Sequence, residues 1–405
     1  MSDDVELVTS GRIFGGWTEF RITRAMDRAA GDFDLSVTER MPTRAEAWRI
    51  EPFDEVEIRL GGDPVLKGYV DVAEPEIDAK THRVRIRGRS RTCDMVDCTP
   101  ELRGTEFRGA TLPAIARALS RPFGIEVVAE VPDGAPFGVE AREKTDTAWR
   151  TIERLGRLRG VICHDDEQGR LVLTRAGERR AAGSLELGRN LLAASARIDV
   201  SKRFSRYVSM TQRQTGAAVS RDGDGDAGDS EEAEQPNAGV QVSVTGIATD
   251  PSVPRYRPKV FRAEGAGDTA FAQQRAVWAA ATARARSLQV EATVQGWRKA
   301  DGALWRLNEL VPIKADWLRL DHDLLVIGAE FTLGQDGRRT KLTLTPREAM
   351  LPEPLKPPSG RGRGNPFLDV IPGSGRLSCA SAAHAIACSG RSMTITGCAR
   401  CLWRR

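Results

Sequence analysis

Apolar and polar residues alternate through much of the first hundred positions. In "DEVEIRLGG" (54–62), Val56, Ile58 and Leu60 share one face before a turn at Gly61 and Gly62, the two-residue period of a half-buried strand. "EFRITRAMDRAAGDFDLSVTE" (19–39) reads as two strands around a turn, and "VLKGYVDVAEPEID" (65–78) continues extended. In "HRVRIRGRSR" (82–91), Arg83, Arg85, Arg87, Arg89 and Arg91 occupy every second position, with Val84 and Ile86 between them. An unbroken strand there points all five guanidinium groups one way. Short strands separated by Gly and Pro turns predict a small barrel or sandwich over 1–101.

From about residue 102 the period changes. "TLPAIARALSRPFG" (111–124) offers Thr111 as an N-cap and Pro113 in the first turn, both helix-start signals. "TDTAWRTIERLGRLRG" (145–160) places Trp149, Ile152, Leu155 and Leu158 on one stripe and stops at Gly160. "GVICHDDEQGRLVLTRAG" (160–177) reads as a hairpin turning at Gln168-Gly169. Residues 102–182 thus form an α+β insert. A third helix is predicted near 268–288, with Phe271, Trp278, Ala281, Ala285 and Leu288 on one side. Strands resume from "VEATVQGW" (290–297) to "RRTKLTLTPRE" (338–348).

The two β-rich parts repeat one another in pattern. Glu55 leads into Val56 and Ile58, and Glu309 into Val311 and Ile313. Each run is followed by a turn, a Gly-containing apolar strand ("VLKGYVDV", "LLVIGAEF") and a basic or Thr-rich alternating strand. The predicted architecture is mainly β with an α+β insert: two similar small β-barrel domains, 1–101 and 183–350, around the α+β domain.

Charge narrows the possible partners. Residues 351–405 carry a balance of +6, which leaves 1–350 at −2, so the body lacks the basic excess expected of a duplex binder. No apolar run is long enough for a membrane span, and "MSDDVELVTSGR" lacks a signal-like apolar core. Synthesis and folding in a reducing cytoplasm follow as the expectation. "DGDGDAGDSEEAEQPNAG" (222–239) is acidic and poor in bulky residues, and is read as a disordered loop near 215–240. Its Asp222, Asp224 and Asp226 imitate a calcium loop, but Ala227 and Ala233 stand where Gly and Glu are needed. "LPEPLKPPSG" (351–360) is a Pro-rich linker to a tail holding Cys379, Cys388, Cys398 and Cys401. The wide spacing of the first pair argues for a disordered extension over a zinc knuckle.

Candidate chemistry is sparse. "CHDD" (163–166) and "DHD" (321–323, in a turn) are the tempting clusters, but neither has the ligand spacing of a metal site. No GxSxG, phosphate loop or HExxH is present. No catalytic, cofactor or metal residues are assigned. The candidate site is Arg83, Arg85, Arg87, Arg89 and Arg91, as a subunit interface or lumen face.

"GRSRTCDMVDC" (88–98), "GRNLLAASARIDVSKRFSRYV" (188–208) and "RAVWAAATARARS…VQGWRKADGALWRLNELVPI…LLVIGAEF…LTLTPREAM" (275–350) bring a family into view. Over roughly 4–350 the chain resembles the Mu-like baseplate hub proteins of contractile phage tails. The resemblance implies a homotrimer whose paired barrels form a pseudo-sixfold ring joining the tail tube protein to the central spike protein, among other baseplate proteins. It also implies a lumen that passes genome DNA without specific binding. The location it implies is the virion tail baseplate, with the host cytoplasm as the place of assembly, and it implies no enzymatic role and no cofactor. Two alternatives remain open: a nucleic-acid-binding protein using Arg83–Arg91, and a cell-wall-degrading enzyme with carboxylates in 102–182.

Overall fold

The computed structural model describes residues 4–40, 50–78, 81–214, 241–263 and 268–353. The acidic segment with its calcium-loop imitation and the cysteine-containing tail lie outside the described residues.

Two hairpin pairs open the chain, β1 (Val5–Thr9) with β2 (Arg12–Phe14) and β3 (Glu19–Ala25) with β4 (Asp32–Arg40). An antiparallel meander follows: β5 (Glu55–Leu60), β6 (Asp63–Ile77) and β7 (Thr81–Ser90). Next come α1 (Cys93–Asp97), β8 (Glu106–Arg108), α2 (Leu112–Ser120), β9 (Val127–Ala129), β10 (Val139–Ala141), α3 (Ala148–Arg159), β11 (Ile162–Asp165) and β12 (Leu171–Thr174). The chain continues through β13 (Leu185–Glu186), β14 (Leu191–Ile198), β15 (Arg206–Gln214), β16 (Gln241–Thr249), β17 (Pro258–Arg262) and α4 (Thr269–Arg286). It closes on β18 (Leu288–Gln295), β19 (Leu310–Ala315), β20 (Leu320–Gly334) and β21 (Gly337–Thr345).

The protein is mainly β with a few helices, but the two closed barrels expected from the repeat are not what the described residues form. Their largest sheet is one open thirteen-stranded sheet, ordered β14-β18-β21-β20-β3-β4-β7-β6-β5-β1-β2, with β19 beside β20 and β13 beside β19. The cause is an antiparallel seam between β20 and β3, Gly328 opposite Ala25 through Leu333 opposite Phe20. That seam spends two strand edges on joining the halves. One apolar core runs through both, from Val5 to Ile86 and from Ala181 to Leu344.

The repeat itself is closer in space than in sequence. Each half has a strand of six residues followed by one of fifteen, β5–β6 and β19–β20. Each long strand carries a register shift at the same place, between Val70 and Val72 in β6 and between Val326 and Gly328 in β20. The Val70 N–H donates to the Asp54 carbonyl at 3.0 Å, and the Val326 N–H to the Glu309 carbonyl at 2.9 Å. The structural counterpart of Glu309 is therefore Asp54, one residue before the Glu55 matched in sequence. Strand order repeats as well: β3-β4-β7-β6-β5 corresponds to β14-β18-β21-β20-β19, while the next strand differs in direction, β1 pairing antiparallel with β5 and β13 parallel with β19.

The insert has its own core, drawn from Met95 to Leu173. Thr147 caps α3, its side chain accepting from the Arg150 N–H at 3.3 Å, and Gly160 ends the helix at φ +62°. Thr111 stands at the start of α2 without a side-chain cap bond. The buried stripe of α3 is Ala148, Thr151, Ile152 and Leu155, while Leu158 is exposed. Counting only bulky residues rotates that face, because small Ala and Thr do the close packing. "DHD" lies within β20 opposite β19, not in a turn. The sheet β16-β15-β17 stands apart from the long sheet and packs on α4, so residues 183–350 hold more than one layer.

Candidate functional site: a ladder of paired charges

β7 runs between β4 and β6, with Asp34 opposite Arg87 and Asp32 opposite Arg89 on one side. On the other side, Glu74 lies opposite Arg85 and Glu76 opposite Arg83. The alternate positions Ile86 and Ser90 are buried, so the arginines share the outer face as their spacing predicts. What their spacing does not reveal is that a carboxylate accompanies each of them.

Arg85 forks onto Asp34 with bonds of 2.9 and 2.6 Å. Arg87 donates to Glu74 at 2.5 Å, and Arg89 bridges Asp71 at 2.8 Å and Asp97 at 2.9 Å. Arg83 donates to the Ser36 hydroxyl at 3.2 Å and lies 3.9 Å from Glu19. Arg91, just past the strand, lies 3.9 Å from Glu55. The hydrogen bond from Arg85 holds the Asp34 carboxyl below the usual carboxylate range, although burial pushes the other way. Bonds to Asp34 and to Asp71 raise the Arg85 and Arg89 guanidinium values in turn. These partly exposed pairs contribute little stability singly. Together they neutralise the face. A phosphate arriving there would have to displace carboxylates that also repel it.

The acidic partners missed by sequence reasoning have a signal in hindsight. Asp32 and Asp34 alternate in "DFDLS", and Glu74 and Glu76 in "VAEPE". Their relation to the arginines depends on register, and Asp71 depends on the β6 bulge.

The "CHDD" cluster joins the insert to the sheet. The Asp165 carboxylate accepts the Gly31 N–H at 3.0 Å, and its carbonyl accepts from Arg24 at 3.0 Å. Asp166 ties the hairpin turn, accepting from the Gln168 and Arg170 N–H groups at 3.0 and 2.9 Å. Burial lowers the His164 value and so favours the neutral ring, and burial pushes the Cys163 thiol up to about 12. A protonated thiol is a poor nucleophile or metal ligand. In "DHD", Asp323 pairs with Arg180 while His322 is exposed.

Among the described residues, the carboxyls with shifted acidity are Asp34, Glu167, Glu186, Asp199 and Asp250. All lie below the usual range, held there by hydrogen bonds and neighbouring arginines against burial. A glycosidase acid needs the opposite shift. No helix of the described residues is long and apolar enough to cross a membrane.

Comparison with known proteins gives a consistent set of matches. Residues 4–90 match the family described as Mu phage baseplate assembly protein GpP-like, N-terminal. Residues 92–175 match baseplate hub protein gp44-like, second domain, and residues 268–353 match Mu phage baseplate assembly protein GpP, fourth domain. The chain is 33% identical over 357 residues to the baseplate hub protein gp44 of Escherichia phage Mu, covering 87% of this chain and 90% of that one. The 43 kDa tail protein of prophage MuSo2 from Shewanella oneidensis is similar in structure, with a TM-score of 0.72 and 30% identity over 87% of this chain and all of that one. A tail protein from Neisseria meningitidis MC58 shares the fold at a TM-score of 0.67 and 20% identity, over 86% of this chain and 99% of that one.

Proposed function

The chain belongs to the Mu phage baseplate hub family, and from that premise we propose that three copies build a pseudo-sixfold ring between the tail tube and the central spike. As a member it is a structural hub protein of a Mu-like tail baseplate and not an enzyme. The observation that carries the finer reading is the repeated strand order of the two sheet halves. One chain offers two similar units, so three chains offer six, the number a sixfold tube requires on one side of a threefold spike.

In this reading the tail tube protein, the central spike protein and other baseplate proteins are the partners. The mature location is the virion, reached by assembly in the host cytoplasm. The Arg83–Arg91 face becomes part of the ring wall, and its paired charges favour the lumen. A channel for a polyanion works best with a wall that neither binds nor repels it.

Light scattering of the full chain behind size exclusion tests the stoichiometry. The expected mass is about three times 44.3 kDa. A particle of any other fixed copy number would overturn the ring of six units.

A further inference from the structure

The seam that joins the two halves has two unused counterparts, one on each half. β20 meets β19 through residues 320–325 and then β3 through residues 328–333 along the same edge. Its counterpart β6 meets β5 only as far as Tyr69. Beyond the bulge, among the described residues, that edge of β6 has no further strand. β3 lies between β4 and β20, whereas its counterpart β14 has β18 on one side and, among the described residues, ends the sheet on the other. A single bridge from Leu187 touches β14 at Leu191.

We propose that the distal edge of β6, Asp71–Ile77, pairs antiparallel with β14 of a second copy of this chain, repeating between chains the β20–β3 seam found within one. This rests on the ring reading and names the surface that closes it. The register follows from the bulges and the ladders between them: Val72 corresponds to Gly328, and Ala194 to Phe20. Carrying over the pairs of the internal seam sets Ile77 opposite Ala194, Glu76 opposite Ser195, Pro75 opposite Ala196, Glu74 opposite Arg197 and Ala73 opposite Ile198.

The side chains fit that register. Within the chain, the core-side positions Phe20, Ile22, Ala329 and Phe331 along the seam are buried in the common core. At the open edges the matching row holds Ile77 and Ile198, apolar residues left 78% and 68% exposed. Pairing would cover both. On the outer row Glu74 meets Arg197, opposite charges at facing positions. Pro75 offers no N–H, so this ladder has one donor fewer than the internal seam. The two edges are complementary and not alike, which makes the contact head-to-tail. Such contacts close into rings when the rotation allows.

The test is a cross-strand disulfide in the full chain, with Cys98 and the four tail cysteines replaced by serine. Glu76→Cys and Ser195→Cys face each other in the proposed register, within disulfide reach. Glu76→Cys with Asp199→Cys is the displaced control, about 13 Å off along the strand. Oxidation of the facing pair should give covalent dimers and trimers on a non-reducing gel, with none from the control. Arg197→Glu should weaken association about tenfold by light scattering, without changing monomer unfolding. Oligomers of normal mass that crosslink no better through 76/195 than through 76/199 would overturn the edge pairing and leave the ring standing. A chain that stays monomeric at every concentration would overturn both.

Discussion

In one half of the long sheet the outer positions of the basic strand are Arg85, Arg87 and Arg89; in the other the matching positions of β21 are Lys341, Thr343 and Thr345. The facing acids match more closely, Asp34 on β4 and Glu291 on β18, and each bonds diagonally, to Arg85 and to Lys341 at 2.9 Å. The core side trades volume across the sheet. Phe33 lies opposite Gly88 in the first half, and Val290 opposite Leu344 in the second. The backbone plan is thus common, one outer ion pair recurs, and each half fills its core in its own way. Packing constrains the sum of facing volumes more than either residue.

The sharpest way to break the likeness is to give the first half a side chain where the second has one. A Cβ on Gly88 would overlap the Tyr69 carbonyl oxygen and come 2.5 Å from the Phe33 ring. Because one obstacle is backbone, repacking cannot clear it. Gly88→Ala is expected to lower the thermal midpoint by more than about 10 °C or to abolish soluble expression, beyond ordinary overpacking. Calorimetry checks it, and a midpoint within about 2 °C of the parent would show that the strands can separate there at little cost.

The next contrast is between Glu309 and its counterpart Asp54. Glu309 is buried against Lys299 at 2.8 Å, with Arg179 at 3.4 Å, whereas Asp54 is part-exposed. Lys299→Met strands a buried carboxylate and should cost about 3 kcal/mol, at the low end for a broken buried pair because Arg179 remains. Asp54→Asn should stay within about 0.5 kcal/mol. Equal losses from the two in urea denaturation would mean that the counterparts do the same work despite their different burial.

Strands β5 and β7 were legible because a two-residue period is written in the residues themselves. The seam between β20 and β3 was not. It joins segments about 300 positions apart, and a strand edge consists of backbone N–H and C=O groups that every residue carries. Without it, two repeats look like two separate barrels. The sheet of β15, β16 and β17 was missed for a related reason. It packs on α4, whose buried residues Ala272, Ala276 and Ala285 give a weak apolar stripe. At the candidate site the arginine spacing was readable, but its neutralisation was not. Whether Asp34 reaches Arg85 depends on register across strands far apart in the chain.

The smallest expected effect concerns the turn that opens each meander. Phe53 and Asn308 are counterparts, their N–H groups donating to Val70 and Val326 at 2.8 and 2.9 Å, and both hold positive φ, 77° and 63°. That conformation costs an L-residue roughly 1–2 kcal/mol, and Asn tolerates it better than most. Asn308 also uses its amide: its oxygen accepts the Gly177 N–H at 2.7 Å and its nitrogen donates to the Arg175 carbonyl at 2.9 Å. Phe53 is 91% exposed, so its ring offers the core nothing in return for the strained backbone. Phe53→Asn is therefore expected to raise stability by about 0.5–1 kcal/mol, read as a higher urea midpoint at unchanged slope. Asn308→Phe should lower it by about 2 kcal/mol, since the Gly177 N–H and the Arg175 carbonyl both lose their bonds. A fall on Phe53→Asn would show that the phenyl ring stabilises the folded chain despite its exposure, and that the two turns share a geometry without sharing its cost.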